Sequence, residues 1–523
     1  MRFLYDNISV LAVAAICSVL AWMYGGTDSR LLTPTMPWLV VLAIETALVF
    51  PQRHPGEGLV EARSRAWSRL KRDPLTWISL LLLVLLAIPL FNRGLCPCCD
   101  YPAIHFEGAS EEPPFKFLPF CVNTKEHSNV LLWFTCALPA MLAAKHALLK
   151  RGKRLLIELL AWNGFALAAL GMIQYAAGAP APFWTDSLKL DGAFFSTFGY
   201  PNMGGDWFTT TFLFSCAAWR WHVECESETD HGRAKTNHSK FWRRHLFAVP
   251  ALFSFVAAVM TLSRAAMVSC GLAALLVCIH SLACSFRKMS RSRRVKTVAA
   301  YFVAFALLGT FGWASFTGRG KTPAPKSAEE AAESAYDVRD DIMREMGSID
   351  GRGVLDRVTG RMQYHAAVAM RVWRRFPVFG CGGWGYKHFS IPSMTDAEYA
   401  KGVQKLGGAN VHNDWLQFLA EHGAAGLGLI AAIVLLLIRP TAKIWKALAA
   451  AARFMRGRDR PPRPVALFAF PGPAFCLVLA PFFTFVHAFG DCPLRSPAVL
   501  ALFFVSFVAI DGYLPRIKNE DED

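Results

Sequence analysis

The chain has 523 residues, 54% of them hydrophobic, and carries a formal net charge of +16. Its apolar residues gather into repeated runs of helix-spanning length, which excludes a soluble globular protein. Its basic residues fall in short clusters between those runs instead of one patch, which argues against nucleic acid as a partner and for membrane topology.

The N-terminal stretch MRFLYDNISVLAVAAICSVLAWMYGG has the basic start and apolar core of a signal peptide but no clean cleavage site, so it reads as a retained first span. Hydropathy predicts about twelve spans, at approximately 7–25, 34–51, 75–91, 129–149, 155–178, 203–221, 245–262, 265–285, 298–316, 415–438, 465–489 and 496–514. Every second loop is basic: RHPGEGLVEARSRAWSRLKRDP, then KRGKR, then the stretch ending SKFWRRH, then RKMSRSRRVK, and last AKIWKALAAAARFMRGRDRPPR. Cytoplasmic loops keep their Lys and Arg during insertion, so this alternation predicts both termini in the cytoplasm. It also predicts three longer periplasmic segments, at about 92–128, 179–202 and 317–414. The expected fold class is all-α, a polytopic membrane bundle of about 12 transmembrane helices with one large periplasmic loop that contains helices. Four regions follow: N-terminal helices over 1–178, central helices over 179–316, the large loop over 317–414, and C-terminal helices with a cytoplasmic tail over 415–523.

The first periplasmic segment holds Cys96, Cys98, Cys99 and Cys121, which predicts one or two disulfides in an oxidising compartment. A zinc site with His105 and His127 is the rival reading, though the spacing is not that of a standard finger. The large loop opens with the polar stretch GRGKTPAPKSAEEAAESAYDVRDD, which predicts flexibility. RMQYHAAVAMRVWRRFP follows with helical apolar spacing and predicts an amphipathic helix near the membrane surface. Within it Arg371, Arg374 and Arg375 read as surface charges meeting anionic headgroups or substrate.

VHNDWLQFLAEHGAAGLG closes the large loop and opens the tenth span. Asn413 is placed to cap that helix and Asp414 to favour its positive end. Asn413, Gln417 and Glu421 recur at four-residue spacing, a polar stripe that is costly against lipid and so faces the bundle interior or a wet cavity. Alone, His412 would read as an interfacial loop histidine; above this stripe it becomes a candidate for chemistry. Arg264, in MTLSRAAM, lies in a turn nearly free of other polar residues on the side where arginine is disfavoured, so snorkelling alone does not account for it. In HAFGDCPLRSP, His487, Asp491 and Arg495 form either an interhelical polar network or part of a cavity lining, as does Asp206.

The order His, Asn, variable residues, Leu, then Glu-x-Gly in VHNDWLQFLAEHGAAGLG is similar to the signature of the O-antigen ligase and polymerase superfamily. FSTFGYPNMGG resembles its Gly-Thr-Phe-x-Asn-Pro-Asn segment; Asn202 is kept, while Ser196, Tyr200 and Ala193 depart from it, and helix capping is the plainer role of Asn202. MTLSRAAM is similar to its Ser-Arg-x-Ala element, and GRMQYHAAVAMRVWRRFPVFGCGGWGYKHF to the loop where an arginine, here Arg361, begins a helix that Pro377, Gly380 and Gly382 end. The motifs occur in the family's order over roughly 190–510.

The resemblance implies a bundle like that of GT-C-type glycosyltransferases, in the bacterial inner membrane, that moves a glycan from undecaprenyl diphosphate to an acceptor such as lipid A-core. His412 would be the general base, and Arg264 and Arg361 would stabilise the leaving diphosphate. Asn202, Asp206, Asn413, Gln417, Glu421, His487, Asp491 and Arg495 would surround the substrate. Membrane lipids are expected partners, and no motif calls for a metal or cofactor. The alternatives within the superfamily are an O-antigen or exopolysaccharide polymerase and a protein O-oligosaccharyltransferase. A transporter or flippase is the alternative from another class, to be recognised by internal repeats and broken mid-membrane helices.

Overall fold

The computed structural model describes residues 7–27, 37–43, 45–46, 49–94, 113–185, 194–229, 245–285, 364–400, 410–454 and 471–514. Helix starts follow from local chemistry. Asp73 accepts from the Leu75 N–H at 3.1 Å and Pro74 supplies the fixed φ of a first turn, which launches α3. Asn123 accepts from the N–H groups of Lys125 and Glu126 to launch α4, and Ser496 with Pro497 launches α14.

In chain order the helices are α1 (Ile8–Trp22), α2 (Leu59–Arg72), α3 (Pro74–Ala87), α4 (Thr124–His146), α5 (Lys150–Ala176), α6 (Pro201–Thr229), α7 (Ala248–Met260) and α8 (Arg264–Ser285). They continue with α9 (364–375), α10 (Gly385–Phe389), α11 (Asp396–Ala400), α12 (Asp414–Phe454), α13 (Gly472–His487) and α14 (Pro497–Ile510). No strand occurs among the described residues, so the all-helical expectation holds. Among the described residues, five segments are long and apolar enough to cross a membrane: Pro74–Phe91, Thr124–His146, Lys150–Ala176, Arg264–Cys284 and Asp414–Ala442. Ile8–Trp22, Ala248–Met260, Gly472–His487 and Pro497–Tyr513 are shorter apolar helices. The expected span at 298–316 and the polar start of the large loop lie outside the described residues. Charge alone predicts a loop over 53–74, yet α2 forms there, burying Ala62 and Ala66, tying Arg63 and Arg65 to the carbonyls of Val49 and Gln52, and leaving Arg69 and Arg72 outward.

The core gathers around α6, which packs against α5, α7, α8 and α13. A Cβ on Gly205 would lie 2.3 Å from the Ala266 Cβ, so the first turns of α6 and α8 come this close only through glycine. A second, smaller core joins Val368, Ala369 and Val372 of α9 to Phe120, Val122, Tyr386, Phe389, Val411 and Ala420. This corrects the expected surface helix: the apolar stripe of α9 is covered by protein, not lipid. Arg371 is likewise drawn inward, pairing with Glu398 at 2.6 Å and donating to the Ser393 carbonyl, whereas Arg374 and Arg375 are exposed as expected.

Tertiary contacts sort into two ends of the bundle. One end joins Asp73 to Lys145 and His146, Arg151 to the Arg53 carbonyl, and Lys153 to Asp511. The other joins Ser496 to the Gly25 carbonyl, Thr197 to the Ala21 carbonyl, and His127 to both the Leu86 carbonyl and the Gly383 N–H. Those two His127 bonds, at 2.7 Å each, require a proton on Nε2 and a lone pair on Nδ1, which accounts for the ring without a metal. Cys121 is a buried free thiol whose Sγ donates to the Pro89 carbonyl; its expected partners Cys96, Cys98 and Cys99, and His105, lie outside the described residues.

Hydropathy predicts one unbroken tenth span, and here the structure differs. Gly423 has φ 64° and ψ −171°, conformational space essentially reserved for glycine, and splits α12 into two helices. The break exposes backbone groups that segment 377–382 satisfies. Ala424 and Ala425 donate to the carbonyls of Pro377 and Val378 at 2.9 and 3.0 Å, and Cys381 and Gly382 donate to Ala420 and Glu421 at 3.1 and 2.8 Å. The turn expected of Pro377, Gly380 and Gly382 therefore forms, stitched into the broken helix.

Candidate active site

Four sequence segments meet at the second end of the bundle, beside this break. Each carries one non-glycine residue with left-handed backbone: Ser196 before α6, Leu262 before α8, Trp384 before α10 and His412 before α12, with φ between 54° and 60°. Such residues cost on the order of 1–3 kcal/mol each and persist where the surroundings fix them, as at active sites.

At the centre lies Asp491, in the turn between α13 and α14. Its Oδ1 accepts from the Cys492 N–H at 2.8 Å, the Tyr200 hydroxyl at 3.0 Å and His412 Nδ1 at 3.3 Å, while Oδ2 accepts from Asn202 Nδ2. Burial alone would raise this carboxyl, but the hydrogen bonds from His412 and the Cys492 N–H outweigh it, holding Asp491 below the ordinary aspartate range. Burial pushes the Tyr200 hydroxyl well above its ordinary value, helped by Cys492 and Asp491, so it remains a neutral donor. The Ser263 hydroxyl donates to Asn202 Oδ1 and accepts from the Ala266 N–H, which caps α8 and fixes the residue immediately before Arg264. Arg264 is exposed at the first position of α8.

This arrangement sets the His412 tautomer. A proton on Nδ1 points at Asp491, leaving the Nε2 lone pair for a second partner in a partly exposed ring, and the His365 ring lies 5.9 Å away. Asn413 caps α12 by accepting from the Leu416 N–H at 3.0 Å, and Asp414 accepts from the Leu494 N–H at 2.8 Å. Gln417 and Glu421 are buried, as a stripe facing the bundle interior requires. Gln417 accepts from the Val411 N–H and donates to Glu421, so it ties His412's neighbour to the helix below.

Arg495 is buried against Glu421, with Nη2 2.9 and 3.0 Å from the two carboxylate oxygens, and lies 4.2 Å over the Trp384 ring. It therefore serves an internal pair and brings α14, α12 and the 377–385 turn together. Asp206 pairs with His487 at 3.0 Å and accepts from Thr484, deeper between α6 and α13. Arg361 lies outside the described residues. His412, Asp491 and Cys492 offer donor atoms within 4.8 Å of one another, the spacing a metal ion needs. Both Asp491 oxygens already accept hydrogen bonds, however, which suits an orienting carboxylate better than a ligand.

The structure thus brings together His412, Asn202, Asp491 and the turn bearing Arg264, and sets Asp206, His487 and Arg495 in adjoining pairs. Sequence reasoning missed Ser263, His365 and Trp384, and took Tyr200 as a mere departure from the family pattern. Ser263 had one legible signal, its place as helix cap directly before an arginine.

No curated protein matches the chain. Residues 249–431 match the family model described as O-antigen ligase, a stretch that contains Ser263, Arg264, Arg361, His412, Gln417 and Glu421. Tyr200, Asn202 and Asp491 join the site from outside that stretch, and the match over 249–431 supports the O-antigen ligase family.

Proposed function

We propose that this chain transfers a glycan from undecaprenyl diphosphate to an acceptor such as lipid A-core, at the periplasmic face of the inner membrane, without a metal. The family match supports glycan transfer in general. The observation that carries the reading further is the Nδ1 contact of His412 with Asp491, because it leaves Nε2 as a base. As the acceptor hydroxyl attacks the anomeric carbon, Nε2 takes its proton and the Asp491 carboxylate stabilises the resulting imidazolium. The bond from the anomeric carbon to the diphosphate oxygen breaks, and direct attack inverts the anomeric centre. The departing diphosphate needs cations, for which Arg264 and Arg361 are the candidates, since guanidinium binds phosphate oxygens with a planar fork. Arg495 is spent on Glu421 and serves structure instead.

The sidedness of this reading rests on charge. The end of the bundle opposite His412 carries Arg69, Arg72, Lys145 and the KRGKR segment, as a cytoplasmic face should.

The test is transfer by purified protein in nanodiscs, scored with lipid-linked donor and separate lipid, saccharide and peptide acceptors. His412→Ala should lower turnover by about 10²- to 10⁴-fold with donor binding little changed. Arg264→Ala and Arg361→Ala should lose activity, with only partial rescue by Lys. Arg374→Ala should stay within a few-fold of wild type. Chelator should leave the rate unchanged. Near-normal transfer by His412→Ala would remove it from the chemistry, and a preference for lipid-linked or peptide acceptor would turn the reading to polymerase or protein glycosylation.

A further inference from the structure

At the end of the bundle opposite His412, a cavity of about 1150 Å³ opens between α2, α4, α5, α12 and α14. Its lining holds eight Lys or Arg side chains against two carboxylates, Asp73 and Asp511. Both carboxylates are already taken: Asp73 by Lys145 at 2.6 Å and His146 at 3.0 Å, Asp511 by Lys153 at 2.7 Å. Arg151 and Arg154 donate to the carbonyls of Arg53 and Gly512, which leaves their charge uncancelled. Arg69 has only a longer-range attraction to Asp511, and Arg72 has no ion pair among the described residues. The N-terminus of the 27-residue α5 enters at the same place and adds the positive end of its dipole. Arg154 is also held 4.4 Å over the Trp221 ring, so Arg69, Arg72 and Arg151, with the helix N-terminus, make the site for phosphate.

The opposite wall is of another kind. Leu436 and Leu437 of α12 and Phe507 and Val508 of α14 close it with apolar surface. A soluble anion would use only the cationic half; a phospholipid uses both, headgroup on the arginines and acyl chain along the helices.

We propose that this cavity is a binding site for the phosphate headgroup of an anionic phospholipid. It involves none of the residues placed in glycan transfer, so it stands or falls separately from the proposed activity.

The full-length chain, delipidated in neutral detergent, is to be titrated with phosphatidylglycerol, phosphatidylcholine and inorganic pyrophosphate, with binding read by native mass spectrometry. Phosphatidylglycerol should be retained in preference to phosphatidylcholine, and Arg69→Gln with Arg72→Gln should weaken it roughly 10- to 30-fold, because each juxtamembrane charge contributes about a factor of five. Both arginines are exposed, so an unchanged melting temperature is expected. Thr441→Glu, which adds a negative charge to the same cavity without touching either arginine, should weaken binding too. Equal retention of the two lipids, or phosphatidylglycerol binding indifferent to all three substitutions, overturns the proposal. Arginine-dependent binding of pyrophosphate without retained lipid overturns the lipid assignment and gives the site to a soluble phosphate compound.

Discussion

Asp491 and Glu398 are both held ionised, to different ends. The Asp491 carboxylate receives His412, Tyr200, Asn202 and the Cys492 N–H, so replacing it by Asn keeps the shape while removing the charge that selects the His412 tautomer. Asp491→Asn should lower turnover roughly 10- to 100-fold with KM for donor nearly unchanged, measured by initial rates in nanodiscs. Tyr200→Phe removes one of several donors and should cost only a few-fold. The hydrogen bond from Arg371 holds Glu398 down to about 2 from its ordinary value of 4.5. Because that pKa is depressed, its stabilisation is complete above about pH 4.5 and is lost as pH falls toward 2. Hydrogen exchange over 391–398, corrected for the intrinsic rate, should therefore rise in acid, and Glu398→Gln should make it high and insensitive to pH. His412 was legible in the sequence because a polar stripe ran beneath it. Its partner was not, since Asp491 lies 79 residues away and nothing local distinguishes a network from a cavity lining.

Hydropathy along α12 never falters, and so it hides the break. HGAAGLG reads as close-packing glycines on a continuous helix, while the requirement that distinguishes Gly423 comes from segment 377–382, which hydropathy does not connect to it. A Cβ on Gly423 would lie 2.2 Å from the Val378 carbonyl oxygen, and one on Gly380 would lie 2.3 Å from the Glu421 carbonyl carbon. Gly423→Ala and Gly380→Ala should each destabilise by about 3 kcal/mol or more, combining backbone strain with overpacking. Gly428 has nothing within 4 Å of its would-be Cβ, so Gly428→Ala should be neutral or stabilise by up to about 1 kcal/mol. Thermal melting in detergent separates the three. The amphipathic pattern of α9 was read correctly as a pattern and wrongly as a surface, because periodicity shows which face is apolar but not what covers it.

Across the whole molecule, the alternation of basic loops carried the most information, and the two sets of end contacts agree with the alternating helix directions it implies. Ser64 and Ala397 are exposed at opposite ends of the bundle. Relative to the unsubstituted chain, Ala397→Cys should react with an impermeant maleimide at the outer surface of the inner membrane. Ser64→Cys should react only once that membrane is opened, and the reverse pattern would invert the proposed sidedness. The count of spans was less legible than their order, because α6, 29 residues long, carries Asp206 and three consecutive threonines in its first half. Thr210, Thr211 and Asp206 answer to neighbouring helices instead of lipid.

The stitch between segment 377–382 and Gly423 also bears on how the protein is made. Four backbone groups at the break would each cost several kcal/mol if left bare in hydrocarbon. Their partners precede them in the chain by about forty residues and so emerge first from the ribosome. When α12 is made, the segment that completes it has already been synthesised, so the partners for the broken backbone are on hand before the break is.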